Sequence, residues 1–253
     1  MQIVILGTGN VATVLGRKMI LADHDVVQVY GRKAGPAQEL ATTCYAAWTT
    51  DLQTIDTTAD LYIIAVTDTA IPGIASQLRL DKKLVVHTAG SVPKKVLQPT
   101  SRNYGVLYPL QSLRKEMTSL PEIPFLVDGN TEDDLTLIHD FACTLSGQVQ
   151  VANDAQRLTL HVAAVVVSNF TNHLYTLAEQ YCQREGTDFK LLLPLITEVA
   201  LRLQQVSPSA TQTGPAIRHD ALTIGKHLDL LNGHPALQEI YALFTKSIQQ
   251  QYP

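Results

Sequence analysis

The sequence predicts an α/β chain in which a doubly wound, mostly parallel sheet is followed by an all-α region. Three observations carry this expectation. Short apolar runs alternate with helical segments up to residue 152; a glycine-rich turn joins the first run to the first helix; and from Asn153 onward nearly every segment reads as helix. The chain has 253 residues, 45% of them hydrophobic and 17% charged, enough for one or two globular domains. The boundary is expected between a first domain, 1–152, and a second, 153–253.

Residues 2–6 (Gln-Ile-Val-Ile-Leu) form a nearly continuous apolar run, as expected of a strand covered on both faces in a parallel sheet. A helix over 11–22 follows. Strands are expected at 26–30, 60–66 and 84–87, with helices near 34–42 and 70–78 between them. Shorter strands are expected at 104–107, 124–127 and 148–151, with a helix near 131–146. Strands that alternate with helices build right-handed crossovers. The second region reads as helices over 153–185, 188–205, 218–231 and 235–251. The first of these is long enough to form the spine of a domain or a subunit interface.

The turn after the first strand is Gly7-Thr8-Gly9-Asn10-Val11-Ala12, a G-x-G-x-x-A pattern set between a buried strand and a helix. Gly7 allows the tight turn. Gly9 lets a pyrophosphate approach the backbone, and Ala12 lets the helix pack closely. The free amides and partial positive charge of the helix start suit phosphate. This arrangement predicts a Rossmann-like dinucleotide site. The second strand ends in Tyr30-Gly31-Arg32-Lys33, with no acid to hold a ribose 2′-hydroxyl. Arg32 and Lys33 suit a 2′-phosphate instead, so NADP(H) is the expected cofactor. Val66, Thr67 and Asp68, at the end of another strand, are expected to cover the ribose and nicotinamide, with Asp68 also placed to cap the next helix.

The strand ending His87-Thr88-Ala89-Gly90-Ser91 should border the reaction centre. There Thr88 is a candidate cofactor contact, Ser91 a candidate substrate contact and His87 a candidate catalyst. Tyr108 and Gln111, in Tyr108-Pro109-Leu110-Gln111, are candidates to line the same pocket. On the long helix, at about 100° per residue, Asp154, Arg157, His161, Ser168 and Asn172 fall within about 60° of one another. Asn169 lies about 60° beyond. The opposite side (Val162, Ala163, Val166, Val167, Phe170, Leu174, Leu177) is expected to face the core. His161 is the first choice of proton donor, because histidine titrates near neutrality. Asn169 is a further catalytic candidate, and Ser168 and Asn172 are candidate substrate contacts. In Thr211-Gln212-Thr213-Gly214-Pro215-Ala216-Ile217-Arg218, Thr213 and Arg218 suit an anionic substrate group, and Pro215 can start a helix.

A net charge of −4 offers no general attraction for nucleic acid or anionic membranes. No apolar stretch approaches a membrane span. Cys44, Cys143 and Cys182 form no disulfide or zinc pattern, no metal site is expected, and a reducing cytoplasm fits. The start Met1-Gln2-Ile3-Val4-Ile5 has no basic leader, so no signal peptide is expected.

These segments, with the stretch from His161 to His173 and Thr223-Ile224 and His227-Leu228 after Asp220, resemble a bacterial family of NADP oxidoreductases over almost the whole chain. That family joins a Rossmann-like domain to a helical domain of unknown function. More distantly the chain is similar to pyrroline-5-carboxylate reductase, 6-phosphogluconate and β-hydroxyacid dehydrogenases and deazaflavin-dependent NADP reductase. The resemblance implies a homodimer formed through the C-terminal helices, with a small-molecule substrate bound between the two domains. β-Hydroxyacid dehydrogenases carry a catalytic lysine on the long helix; here Arg157 and His161 stand in that region. Two functions stay open: an oxidoreductase moving hydride to or from a small carbonyl or imine, and a non-catalytic NADP(H)-binding sensor.

Overall fold

The computed structural model describes all 253 residues. Eight strands form one sheet in the order β3-β2-β1-β4-β5-β6-β7-β8. They are β1 (Gln2–Leu6), β2 (Asp25–Tyr30), β3 (Ala47–Thr49), β4 (Leu61–Ile64), β5 (Leu84–His87), β6 (Tyr104–Pro109), β7 (Phe125–Gly129) and β8 (Val149–Val151). All neighbours run parallel except β6 and β7, which pair antiparallel with Val106 opposite Asp128 and Tyr108 opposite Leu126. The chain order reverses direction between β1 and β4, where Leu6 pairs with Ile64. That reversal opens a crevice at the carboxyl ends of the two strands.

The helices are α1 (Asn10–Leu21), α2 (Ala34–Cys44), α3 (Ile71–Gln77), α4 (Glu132–Leu145), α5 (Asp154–Ala164), α6 (Thr171–Arg184), α7 (Leu193–Arg202), α8 (Ala221–Leu230) and α9 (Pro235–Gln251). The sheet divides the core in two by simple alternation. Ile3, Ile5, Leu61 and Ile63 pack on one face with Leu15 and Met19 of α1, Leu40 of α2 and Phe141 of α4. Val4, Leu6, Tyr62 and Ile64 pack on the other with Ile71 and Ile74 of α3 and Leu97. Strands buried on both faces must be apolar at every position, which is why the runs in the sequence do not alternate. Truncating one of these aliphatics to alanine costs about 2–5 kcal/mol.

The chain packs as two compact units, Met1–Val167 and Ser168–Pro253. The boundary expected at 152/153 marks where the sheet ends, whereas the packing divides within the helical span. Asn153 caps α5 with a reciprocal box: its side chain accepts from the Gln156 amide at 3.0 Å, and Gln156 returns the bond at 3.0 Å. Leu160 of α5 then packs on Val106, Tyr108 and Leu126, which fixes α5 against β6 and β7.

Four expectations need correction. The edge strand β3 was missed, because three residues, two exposed and one half-buried, carry no apolar run. The long helix is not uniformly α: Val165–Phe170 is a π-helical stretch, so a constant 100° phase does not extend from His161 to Asn172. The side expected to face the core is open, with Val162 58% and Val167 71% exposed, whereas His161 is half-buried. Pro215 does not start a helix; α8 begins at Ala221 with Asp220 as its cap, accepting from Thr223 N–H at 3.0 Å.

Candidate functional site

The nucleotide side of the site is built by the end of β1. Gly7 turns the chain with φ of +134°, and a Cβ there would lie 2.0 Å from the Ala65 carbonyl oxygen, so the turn is laid directly on the end of β4. The Gly7 amide donates to Tyr30 O at 2.9 Å, tying the turn to the end of β2 as well. Gly9 caps α1 with extended backbone and no side-chain hydrogen bond. The amides of the first turn are therefore left to a ligand or to water. Nothing lies within 4 Å of where a Gly9 side chain would begin.

A groove of about 630 Å³ opens there, lined by Gly7, Thr8, Gly9, Asn10 and Val11, by Arg32 and Lys33, and by Val66 and Thr67. Arg32 and Lys33 are exposed and neither forms an ion pair, so their charges are unneutralised. Ala12 is fully buried, where a larger residue would hold α1 off the sheet. The sequence reading missed Leu52 and the α3 residues Gly73, Ile74 and Gln77, which also line the groove. A glycine inside a helix, with glutamine four residues on, was the available signal.

The second part of the site lies at the carboxyl ends of β4, β5 and β6. Tyr108 Oη and His161 Nδ1 are 2.8 Å apart, and the rings meet edge to face with centroids 5.8 Å apart. Burial pushes the Tyr108 hydroxyl above the usual phenol value, and the Asp68 charge pushes it the same way. Tyr108 thus stays protonated at neutral pH, within hydrogen-bond distance of His161. The turn after β5 packs directly beneath this pair: a Cβ on Gly90 would lie 2.6 Å from His161 Nδ1 and 3.0 Å from Tyr108 Cζ. Asp68 accepts a short hydrogen bond from the Ser91 hydroxyl, closing the rim between the β4 and β5 loops.

His87 is different in kind. It is wholly buried, and its Nδ1 accepts from the Ala89 amide at 3.2 Å, so the proton of the neutral ring sits on Nε2. Burial, reinforced by the Arg157 cation, holds its pKa down to about 4. A ring that is neutral throughout the physiological range and sealed from solvent is a poor acid. Thr88 is also buried, its amide donating to Ile64 O at 3.2 Å. Neither Thr88 nor Asp68 lines the groove at the glycine turn. Gln111 is exposed and its side chain accepts from the Ser112 amide at 2.9 Å, within its own turn.

The remaining candidates belong to the second unit. Ser168 and Asn169 lie in the π-helical stretch, half-buried and exposed respectively, and Asn172 is exposed in the first turn of α6. Thr213 and Arg218 are exposed, beside Gly214 at φ of +104°. No group of three histidine, cysteine or acidic side chains is placed to hold a metal ion, and no helix is long and apolar enough to cross a membrane.

Comparison with known proteins bears on this geometry. Residues 2–90 match the family described as NADP oxidoreductase, coenzyme F420-dependent, and residues 123–248 match a domain of unknown function, DUF2520. The crystal structure of a candidate NADP oxidoreductase from Bacteroides fragilis is 39% identical, with a TM-score of 0.90 over 98% of each chain. The chain belongs to this oxidoreductase family. A Thermotoga maritima protein is 21% identical with a TM-score of 0.76, covering 98% of this chain and 99% of its own. A reductive aminase from Aspergillus terreus, solved with NADPH and ethyl levulinate, is 14% identical with a TM-score of 0.73, over 99% of this chain and 94% of its own. At such identities the likeness is one of fold. No protein of curated function matches the chain.

Proposed function

We propose that this member of the NADP oxidoreductase family is an NADP(H)-dependent reductase that moves hydride to or from a small carbonyl or imine compound. The observation that carries the reading is the Tyr108–His161 pair at 2.8 Å, at the carboxyl-end edge of the same sheet that carries the glycine-turn groove. The groove fits a dinucleotide on its own terms. Gly9 leaves room at the uncapped start of α1 for a pyrophosphate, and Arg32 and Lys33 offer two free cations to a 2′-phosphate.

The bound nicotinamide supplies or accepts the hydride. The chain's own residues do the rest. As a C–H bond forms on the substrate, its carbonyl oxygen or imine nitrogen takes up a proton, and the Tyr108–His161 pair holds one within reach of the rim. His161 then recovers a proton from solvent, since its ring is half-exposed. Ser91 and Asp68 offer a hydroxyl and a carboxylate at the same rim. We further infer a homodimer: the open apolar side of the long helix and the exposed leucines of the second unit, such as Leu195 and Leu222, suit a second copy.

The test is NADPH oxidation across a panel of small ketones, aldehydes and cyclic imines, with Tyr108→Phe and His161→Ala alongside the parent. The reading expects turnover by the parent, loss of at least 100-fold in both variants, which corresponds to a barrier about 2.7 kcal/mol higher, and unchanged NADPH affinity. Full turnover in both variants would remove the pair from the mechanism. NADPH binding with no oxidation of any compound would favour a regulatory role.

A further inference from the structure

Arg157 heads the fully buried side chains ranked by volume, with 1% of its surface exposed. Its hydrogen bonding is incomplete. Nη2 donates to Val92 O at 2.6 Å and to the Asp154 carboxylate at 2.7 Å, while Nε and Nη1 have no partner. A buried cation bonded this sparsely is often less stable than an apolar side chain of similar volume, so packing alone does not account for it.

What the bonds join is more informative. Val92 lies in the turn after β5, two residues beyond Gly90. Asp154 opens α5 and also accepts from the Lys94 amide at 3.1 Å. Lys94 Nζ in turn donates to Asp128 Oδ1 and Gly129 O, each at 2.7 Å, on β7. One chain of bonds therefore ties α5, the turn after β5 and β7. His161 follows Arg157 by one helical turn on the same face of α5, with its ring against Gly90.

We propose that Arg157 is a positioning residue for the Tyr108–His161 pair: it locks α5 to the turn after β5, so that the His161 ring rests on Gly90 with Nδ1 at the Tyr108 hydroxyl. The same cation acts on His87, adding to burial in keeping that ring neutral, while the Pro93 backbone, and after it Asp154 and Asp68, act the other way. Of the two histidines, only His161 is left with a ring partly open to solvent. The inference deepens the reductase reading and rests on it for its effect on turnover, but its test does not need turnover.

Nitrogen-15 histidine spectra of the full chain, free of ligand, make that test, with Arg157→Met, Arg157→Lys and Asp154→Asn. In Arg157→Met the His161 Nδ1 resonance should leave its hydrogen-bonded position, and the His87 midpoint should climb from about 4 while staying below 6.5, because burial remains. Arg157→Lys keeps the charge but not the fork, so it should move His161 and leave His87 low. Asp154→Asn alters a part-exposed residue and should shift His161 in the same direction, less far. It serves where Arg157→Met fails to fold. A purely structural role would lower the melting temperature and leave both rings unchanged in the folded protein. Unchanged His161 resonances in folded Arg157→Met, or in Asp154→Asn where the first variant is unfolded, would overturn the proposal. The expected shifts in a protein that never oxidises NADPH would leave the positioning role standing and remove the reductase reading.

Discussion

Replacing Gly90 with alanine adds one methyl group, and the structure says where it goes. The new Cβ would stand 2.6 Å from His161 Nδ1, 2.7 Å from Cγ of the same ring and 3.0 Å from Tyr108 Cζ. Comfortable contact for such atoms is about 3.5–4.0 Å, so the ring must retreat by about 1 Å. A retreat directed away from Tyr108 takes the 2.8 Å hydrogen bond to nearly 4 Å, beyond any useful hydrogen bond. Overpacking of this kind costs about 1–3 kcal/mol of stability. A displacement of about 1 Å in the reacting geometry can cost about 100-fold in rate, equivalent to about 2.7 kcal/mol in the barrier. Urea denaturation and steady-state NADPH oxidation read the two effects separately, and calorimetry should find NADPH affinity within about twofold of the parent, since Gly90 does not line the groove. A variant as stable as the parent and turning over within twofold of it would refute the packing argument and the role of the pair together.

Gly7→Ala should abolish folding or binding outright, because its Cβ would meet backbone, the Ala65 carbonyl at 2.0 Å, with no side chain free to give way. A soluble, NADPH-binding Gly7→Ala protein would contradict the turn geometry. The buried neutral His87 should make the fold acid-sensitive. Its native pKa, about 4, lies below the ordinary 6.5, so stability is full above 6.5 and is lost as the pH falls toward 4; the loss is roughly 3 kcal/mol at most. His87→Asn keeps an acceptor for the Ala89 amide without titrating, so melting curves should show a flatter dependence over that window, and an identical slope would remove His87 as the cause. Sedimentation should give a dimer at micromolar concentration, given Leu195 60%, Leu222 71% and Leu243 61% exposed on the second unit. A stable monomer with no tendency to associate would refute the inferred interface.

The parts of this structure legible in the sequence are those that depend on neighbours along the chain. The β1–Gly7–α1 unit follows from an apolar run, two glycines and a helix start within twelve residues, and Arg32 and Lys33 follow from their position at the end of β2. The reaction side was legible only as separate candidates. Tyr108 and His161 each stood out, but 53 residues separate them, and only the packing of α5 on β6, with Leu160 against Val106 and Tyr108, brings them together. That Gly90 is the floor beneath two rings is a tertiary fact. Arg157 was grouped with the polar side of the long helix because hydropathy alone gives no reason to bury a guanidinium. The apolar side of the long helix was assigned to the core for the opposite reason, since periodicity marks a face that wants cover but not what covers it. The π-helical stretch Val165–Phe170 leaves no trace in such a pattern, because a run of valines suits either helix.

The proposed hold of the Gly7–Val11 groove on NADP(H), through Arg32 and Lys33, can be measured by calorimetric titration of the purified chain with NADPH and NADH, repeated with Arg32→Ala. NADPH should bind much more tightly than NADH, and Arg32→Ala should remove about 1.5–3 kcal/mol from NADPH binding while sparing NADH. Binding of neither nucleotide, or equal weakening of both by Arg32→Ala, would contradict it.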